Sequence, residues 1–388
     1  MKIVFLSNIF CHLQKPISDL LYKHTEGNYW FIETQKMPEE RASLGYTSPD
    51  EPYKVFYSPE NKAEIIQLVN HADVVLHGLA PYELVKERVR KGKLTFFYSE
   101  RVFKKKVSLK LFLYLFREYY RQWGGRKNAY LLAASAYAAF DFRKMLCFRN
   151  KAYKWGYFSE AKKYESLEEF YKRKSSIANK RISIVWVARL IPLKHPEFAI
   201  RIAEKLKQAG YQFDLNLIGN GVMESELREF VDKNNLSDCV HVLGSMAPEK
   251  VRSYMEAGDI YLFTSDKNEG WGAVLNESMN SCCAAVASHA AGSVPFLLKD
   301  GKNGLIYRDG DLDSAYSKVT WLIEHPEERK RLGYEAYKTM TQVWSPENAA
   351  ENLLSLSTSL LKGKEPTAFE GPCGVATLLR DNWYKTEY

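Results

Sequence analysis

Residues 259–280 read DIYLFTSDKNEGWGAVLNESMN. DIYLFTS is a short apolar run of strand length, and the helical pattern resumes after Gly272. Strand, glycine turn and helix together make one βα unit, in which Glu269 emerges at the strand's carboxyl edge and Glu277 lies about one turn into the helix. Gly270 and Gly272 let the backbone approach a ligand without Cβ obstruction. Beyond them, from Ala273, the helix start offers unpaired N–H groups and a positive dipole end. An acid on each side of such a break reads either as a ligand-binding pair, since a carboxylate can accept two hydroxyl bonds at once, or as two solvated acids flanking a turn.

The same rhythm extends outward from this unit. RISIVWVAR (181–189), FDLNLIG (213–219), VHVLG (240–244) and AAVASHAAG (284–292) read as strands, with helical stretches at 195–210, 222–235 and 247–258 between them. In the first half, strands are predicted over 2–8, 28–34, 54–58, 73–78, 94–99 and 129–135, with helices at 16–24 and 61–71. Alternating strands and helices predict parallel sheets covered on both faces. The fold class is α/β, with two Rossmann-like, doubly wound domains. Residues 1–165 form the first, 166–180 a polar linker and 181–362 the second; 363–388 is a tail whose Phe369, Trp383 and Tyr384 predict packing back on the first domain. The site is expected in the cleft between the domains, at the carboxyl ends of the strands.

A length of 388 residues suits two domains, and 46% hydrophobic with 26% charged residues excludes a disordered chain. The net charge of +8 is unevenly placed: residues 1–175 hold 31 Lys+Arg against 19 Asp+Glu, and the remainder 24 against 28. A basic first half predicts an anionic partner. The six cysteines show no CxxC and no zinc spacing, which predicts a reduced cytoplasmic protein without structural metal. No window is long and apolar enough to span a membrane. RVFKKKVSLKLFLYLFREYYRQWGGRK (101–127) mixes seven Lys and Arg before residue 122 with aromatics and leucines, a composition for a helix lying on an anionic membrane surface or for a core helix with a solvated basic flank.

Arg189 and Lys194 end and follow one strand, and two cations five apart across a turn can pinch a diphosphate. Gly219 and Gly221 close a strand, either as a phosphate-side turn or as ordinary βα packing. Asp311 and Asp313 form a D-x-D string in a polar loop and read as turn chemistry. In the first half His12 and Gln14 follow the first strand, His77 ends the fourth, and Glu100 and Arg101 come at the end of the fifth; His77 reads also as a packing histidine, and Glu100 and Arg101 as a structural salt bridge.

VARLIPLKHPEFAI, GNGVMESEL, VHVLGSM, SDKNEGWGAVLNESM and SVPFLLKDGKNGLIY, taken in order, resemble the nucleotide-sugar domain of family-4-type (group 1) retaining glycosyltransferases with the GT-B fold. In the first half, SNIFCHLQKP, MPEERASLGY, FFYSERVFKKK, SAYAAFDF and NKAYKWGYF resemble a bacterial group that builds surface polysaccharides. The resemblance implies that Glu269 grips donor-sugar hydroxyls and Glu277 the ribose, while Arg189 and Lys194 neutralise the departing diphosphate. It adds Gly270, Trp271, Gly272, Ala273, Gly219, Gly221, Leu243 and Met246 to the donor pocket, the last two beside the nucleobase. His12 is assigned a catalytic role, and His77, Glu100, Arg101 and Gln14 the acceptor side. Cys282, Ala284 and Phe296 depart from the family's glycine, proline and glutamate.

The resemblance thus implies a retaining glycosyltransferase using a nucleotide-sugar donor, a UDP-sugar by preference. It implies a saccharide or polyprenyl-pyrophosphate-linked acceptor, an enzyme peripheral on the inner face of the cytoplasmic membrane, and no cofactor or divalent metal. The alternatives are a basic nucleic-acid- or membrane-binding protein on a silent scaffold, a sugar-nucleotide epimerase and a glycogen-type phosphorylase. The order and spacing of the glutamates disfavour both enzymes, and no nucleic-acid motif is present.

Overall fold

A computed structural model describes residues 1–39, 46–105, 107–177 and 181–384. Part of MPEERASLGY, Lys106 of the basic stretch, 178–180 of the expected linker and 385–388 of the tail lie outside the described residues. The chain divides into two units, Met1–Glu160 with Val343–Arg380, and Ala161–Gln342 with the residues from Asp381.

The first unit holds β1 (Ile3–Ser7), β2 (Tyr29–Glu33), β3 (Lys54–Phe56), β4 (Val74–His77), β5 (Thr95–Ser99), β6 (Ala129–Ala133) and β7 (Ala152–Lys154). Among the described residues they form one parallel sheet in the order β3-β2-β1-β4-β5-β6-β7. β1 and β4 are buried at every position, as expected of strands covered on both faces. β7 was not expected. Its outer edge is covered by the C-terminal segment, where Lys154 N donates to Gly374 O at 2.7 Å and Ala376 N to Ala152 O at 2.9 Å. Covering the edge removes a row of unpaired backbone groups. The buried guanidinium of Arg88 donates to the carbonyls of Val69, Ala72, Asp73 and Leu94, tying the end of helix Lys62–His71 to the start of β5.

The second unit holds β8 (Ile182–Val187), β9 (Phe213–Ile218), β10 (Val240–Val242), β11 (Ile260–Phe263), β12 (Ala284–Ser288) and β13 (Leu305–Tyr307). Their order, β10-β9-β8-β11-β12-β13, repeats that of the first six strands of the other sheet, again all parallel. In both units the chain winds one way from the first strand and then back from it. The crevice where the winding reverses, between β1 and β4 or between β8 and β11, is where such sheets bind ligands. The core is apolar and β-rich, with Ile184, Trp186, Leu217, Leu262 and Val286 at its centre.

The division differs from the sequence reading in three places. The expected linker contains helix Leu167–Ile177, which buries Phe170 against Cys282 and Tyr337 and whose Lys174 donates to Cys282 O at 3.1 Å. Its charged residues hid a narrow apolar stripe. Helix Pro346–Leu361, expected within 181–362, packs against helix Lys15–His24 of the first unit. The tail stays with the first unit only to Arg380; Trp383 and Tyr384 pack on His289 of the second, and the Tyr384 hydroxyl donates to the Ile306 carbonyl.

Candidate active site

In the second unit the expected residues converge on the loops that leave β8 and β11. After β8 the chain passes Arg189, makes a short turn at Pro192–Lys194 and enters helix Pro196–Gln208. After β11 it passes Thr264, Ser265 and Asp266 to Glu269. The loops are stitched together: Thr264 Oγ1 donates to Lys194 O at 2.5 Å and Asp266 N to Leu193 O at 3.1 Å. Trp186 Nε1 donates to Thr264 Oγ1 at 2.8 Å and orients that hydroxyl. The outcome is an ion pair between Lys194 Nζ and the Glu269 carboxylate, both side chains largely buried. Ser265 Oγ also donates to Glu269, at 3.2 Å.

Glu277 stands on the seven-residue helix Val274–Asn280. Burial pushes its carboxyl up to about 6, an effect that the nearby Arg252 guanidinium opposes. Arg252 holds the same helix from its C-terminal end, donating to Glu277 O at 3.1 Å and to Ser281 Oγ at 3.0 Å. Tyr261, which no sequence signal singled out, lies where both glutamates act on it, its hydroxyl donating to Val187 O at 3.2 Å.

Gly219 and Gly221 owe their identity to close backbone approach. A Cβ on Gly219 would lie 1.9 Å from Ala188 O, and one on Gly221 2.3 Å from Leu190 O. The β9 loop thereby runs against the Arg189 loop, joined by Leu190 N to Asn220 O at 2.8 Å. Gly272 is required twice over, by φ of 84° and by the Phe263 ring 2.3 Å from its Cβ position. Gly270 is buried and Ala273 stands at the helix N-cap position without a side-chain cap.

Trp271 is 1% exposed: its Nε1 donates to Asn276 Oδ1 at 3.0 Å and its carbonyl accepts from Ser293 Oγ at 2.6 Å. It is an internal prop for the turn, not an open pocket wall. Leu243 is exposed and Met246 half-buried beyond β10. Cys282 has φ of 56°, the left-handed conformation that favours the glycine it replaces. Half-buried Phe296 lies 6.3 Å from the Trp271 ring. Asp311 caps helix Leu312–Glu324 by accepting from Ser314 N, and Asp313 pairs with Lys205, so the D-x-D string is turn chemistry. Among the described residues no group of three or more His, Cys, Asp or Glu is arranged to hold a metal ion.

In the first unit the expected residues are more scattered. His12 is exposed, its ring 4.8 Å from that of Tyr46, and Gln14 Oε1 accepts from Cys11 N at 3.2 Å. His77 ends β4 but is 3% exposed, packed on Phe97 and Trp123, and burial lowers it to about 4. It is a neutral packing histidine closed to solvent. Arg101 is buried in a pair with Asp141 and over the Tyr137 ring. Asp141 in turn accepts from Val102 N and Phe103 N. Glu100 pairs with Lys104 and accepts from the Tyr157 hydroxyl at 2.9 Å.

Helix Leu109–Trp123 starts at Ser108, whose side chain accepts from Leu111 N at 3.2 Å. Trp123 is its only fully buried residue. Leu109 (74% exposed), Leu113 and Tyr114 face solvent beside Lys110, Arg117 and Arg121. No described helix is long and apolar enough to cross a membrane.

Two parallel-sheet units of this winding define the GT-B fold, and solved structures agree. HepE of Anabaena, crystallised with UDP, superposes with a TM-score of 0.70 at 16% identity over 92% of this chain and all of that one. Sucrose-phosphate synthase of Thermosynechococcus elongatus gives 0.66 at 14% identity over 94% of this chain and all of that one. At those identities the likeness is one of fold. Residues 168–339, most of the second unit, match the family model "Glycosyl transferases group 1". The amylovoran biosynthesis glycosyltransferase AmsK of Erwinia amylovora is 30% identical over 149 residues, covering 37% of this chain and 36% of that protein. The chain thus spans little more than a third of that relative.

Proposed function

We propose that the protein is a retaining glycosyltransferase. In this reading it moves a sugar from a nucleoside-diphosphate donor, a UDP-sugar by preference, to a saccharide acceptor carried on polyprenyl pyrophosphate, in bacterial surface-polysaccharide synthesis. The observation that carries the reading is the Lys194–Glu269 pair at the winding reversal of the family-matched domain. UDP is favoured because HepE, of the same fold, was crystallised with UDP and with UDP-glucose.

Glu269 binds donor-sugar hydroxyls, and Glu277 accepts from the two ribose hydroxyls. Arg189 and Lys194 take up the charge that grows on the leaving diphosphate, the dominant source of rate in such a transfer. The bond from the anomeric carbon to the phosphate oxygen breaks and a bond to the acceptor oxygen forms on the same face. The acceptor's proton passes to the departing phosphate, so the products are the extended saccharide and a nucleoside diphosphate. Arginine and lysine fill the charge-neutralising role, and the reading includes no divalent metal or other cofactor.

His12, on the loop after β1, is assigned a catalytic role, and Gln14 and Glu100 are assigned to the acceptor side. The helix Leu109–Trp123 is assigned to the inner face of the cytoplasmic membrane, its exposed leucines and tyrosine entering the interface while Lys110, Arg117 and Arg121 meet anionic headgroups. Incubation with a panel of nucleotide sugars and a polyprenyl-linked saccharide tests the proposal, with NMR of the product's anomeric proton. Transfer from one donor with retained configuration supports it. Inversion, or no nucleotide released from any donor, contradicts it.

A further inference from the structure

His195 follows Lys194 and opens helix Pro196–Gln208 in the left-handed conformation, φ 49° and ψ 54°, which few residues other than glycine adopt. Its ring lies between two carboxylates. Nδ1 lies 2.9 Å from Glu197 Oε1 and Nε2 3.4 Å from Asp266 Oδ2. With a carboxylate at each nitrogen, both nitrogens must donate, so the ring is an imidazolium. Asp266 is itself fixed by Asn268, whose backbone N–H donates to it at 2.7 Å, and its carbonyl accepts from Glu269 N at 3.0 Å. The charged groups facing the ring are therefore Glu197 from its own helix, Asp266 from the loop after β11 and Asp309 from the loop after β13.

We propose that His195 is a positioning residue for donor binding, its imidazolium cross-linking the loop that carries Lys194 to the loop that carries Glu269. The inference rests on reading this unit as the donor site and adds a charged cross-link to the hydrogen bonds and ion pair that already join the two loops. The hydrogen bond to Glu197, with Asp266 adding to it, raises His195 to about 9 against the ordinary 6.5. A raised value in the folded state means that the cross-link is complete below pH 6.5 and is lost as the pH rises through about 9.

The test is calorimetric titration of UDP from pH 6.5 to 10 into the wild type, His195→Asn and Asp266→Asn. Asparagine tolerates the left-handed backbone but carries no charge. The titration of the uracil ring is common to wild type and His195→Asn and cancels in their comparison. The wild type should lose affinity by about 10-fold through pH 9 beyond that common change. His195→Asn should bind about 10-fold more weakly at pH 7 and lack the extra inflection. In Asp266→Asn the inflection should move to lower pH, an effect that a merely structural contact would not produce. The same pH profile in wild type and His195→Asn overturns the positioning role alone. No UDP binding by the wild type at any pH overturns both this role and the UDP-donor reading beneath it.

Discussion

Lys194 Nζ is ion-paired to the Glu269 carboxylate across 75 residues of chain. Neither residue is on a strand or a long helix; each is delivered by a loop, and the loops meet because β8 and β11 are neighbours in the sheet. Lys194→Ala should lower the transfer rate by about 100-fold or more, the scale for removing one charge-stabilising group from the leaving-group site. A steady-state assay with the preferred nucleotide sugar measures it, and a change within twofold would remove Lys194 from the chemistry.

Gly219→Ala should cost on the order of 3 kcal/mol and weaken nucleotide binding, because its Cβ would stand 1.9 Å from Ala188 O and push the Arg189 loop aside. Gly210→Ala is the control. Gly210 is also left-handed, at φ 82°, yet a Cβ there meets nothing within 4 Å, so about 1 kcal/mol is expected. Urea unfolding of the two variants compares steric clash with backbone strain alone.

Glu277 titrates at about 6 against an ordinary 4.5 because burial penalises its charged form. The folded state therefore takes up this proton more readily than the unfolded chain, and the ionised carboxylate costs stability above pH 6. Glu277→Gln should be more stable than wild type at pH 8, on the order of 2 kcal/mol, with the difference fading toward pH 4.5. Donor binding follows the opposite course, since the ionised form accepts both ribose hydroxyls: wild-type affinity should fall as the pH drops through about 6, and the variant should show no such step. Thermal melts and calorimetry across pH 4.5–8 check both expectations.

Reversing Lys110, Arg117 and Arg121 to glutamate should weaken sedimentation with anionic vesicles by roughly 100-fold or more, at about 1 kcal/mol for each cation near the surface. Activity on a water-soluble acceptor should be unchanged. Equal sedimentation of variant and wild type would exclude the helix as the membrane contact.

Arg88→Met should destabilise the first unit by at least about 3 kcal/mol, because four carbonyls lose their buried donor at once. Hydrogen exchange at β5 would show that loss directly.

Most of the strands were legible because both sheets are built from apolar runs separated by amphipathic helices. The strands missed, β7 and β13, are three residues each, though β3 and β10 are as short and were predicted. Helix Leu167–Ile177 was hidden by its charge, and the path of the tail is decided by ring packing on His289, which no local pattern encodes. In the second unit Arg189, Lys194, Glu269 and Glu277 stood out as charged residues just past apolar strands. His195 did not, because its role depends on a left-handed backbone and on Asp266, 71 residues away. Trp271 looked like a pocket wall in the sequence, since an aromatic between glycines carries no sign of which way it points. His77 and Arg101 were ambiguous for the same reason, and their burial assigns them to packing and to an internal ion pair.

The most direct measurement is calorimetric titration of UDP, GDP, ADP and CMP in EDTA into wild type and Glu277→Ala. Micromolar binding of one nucleoside diphosphate, weakened at least about 10-fold in the variant, is the expected result. No binding of any of the four would contradict the donor site.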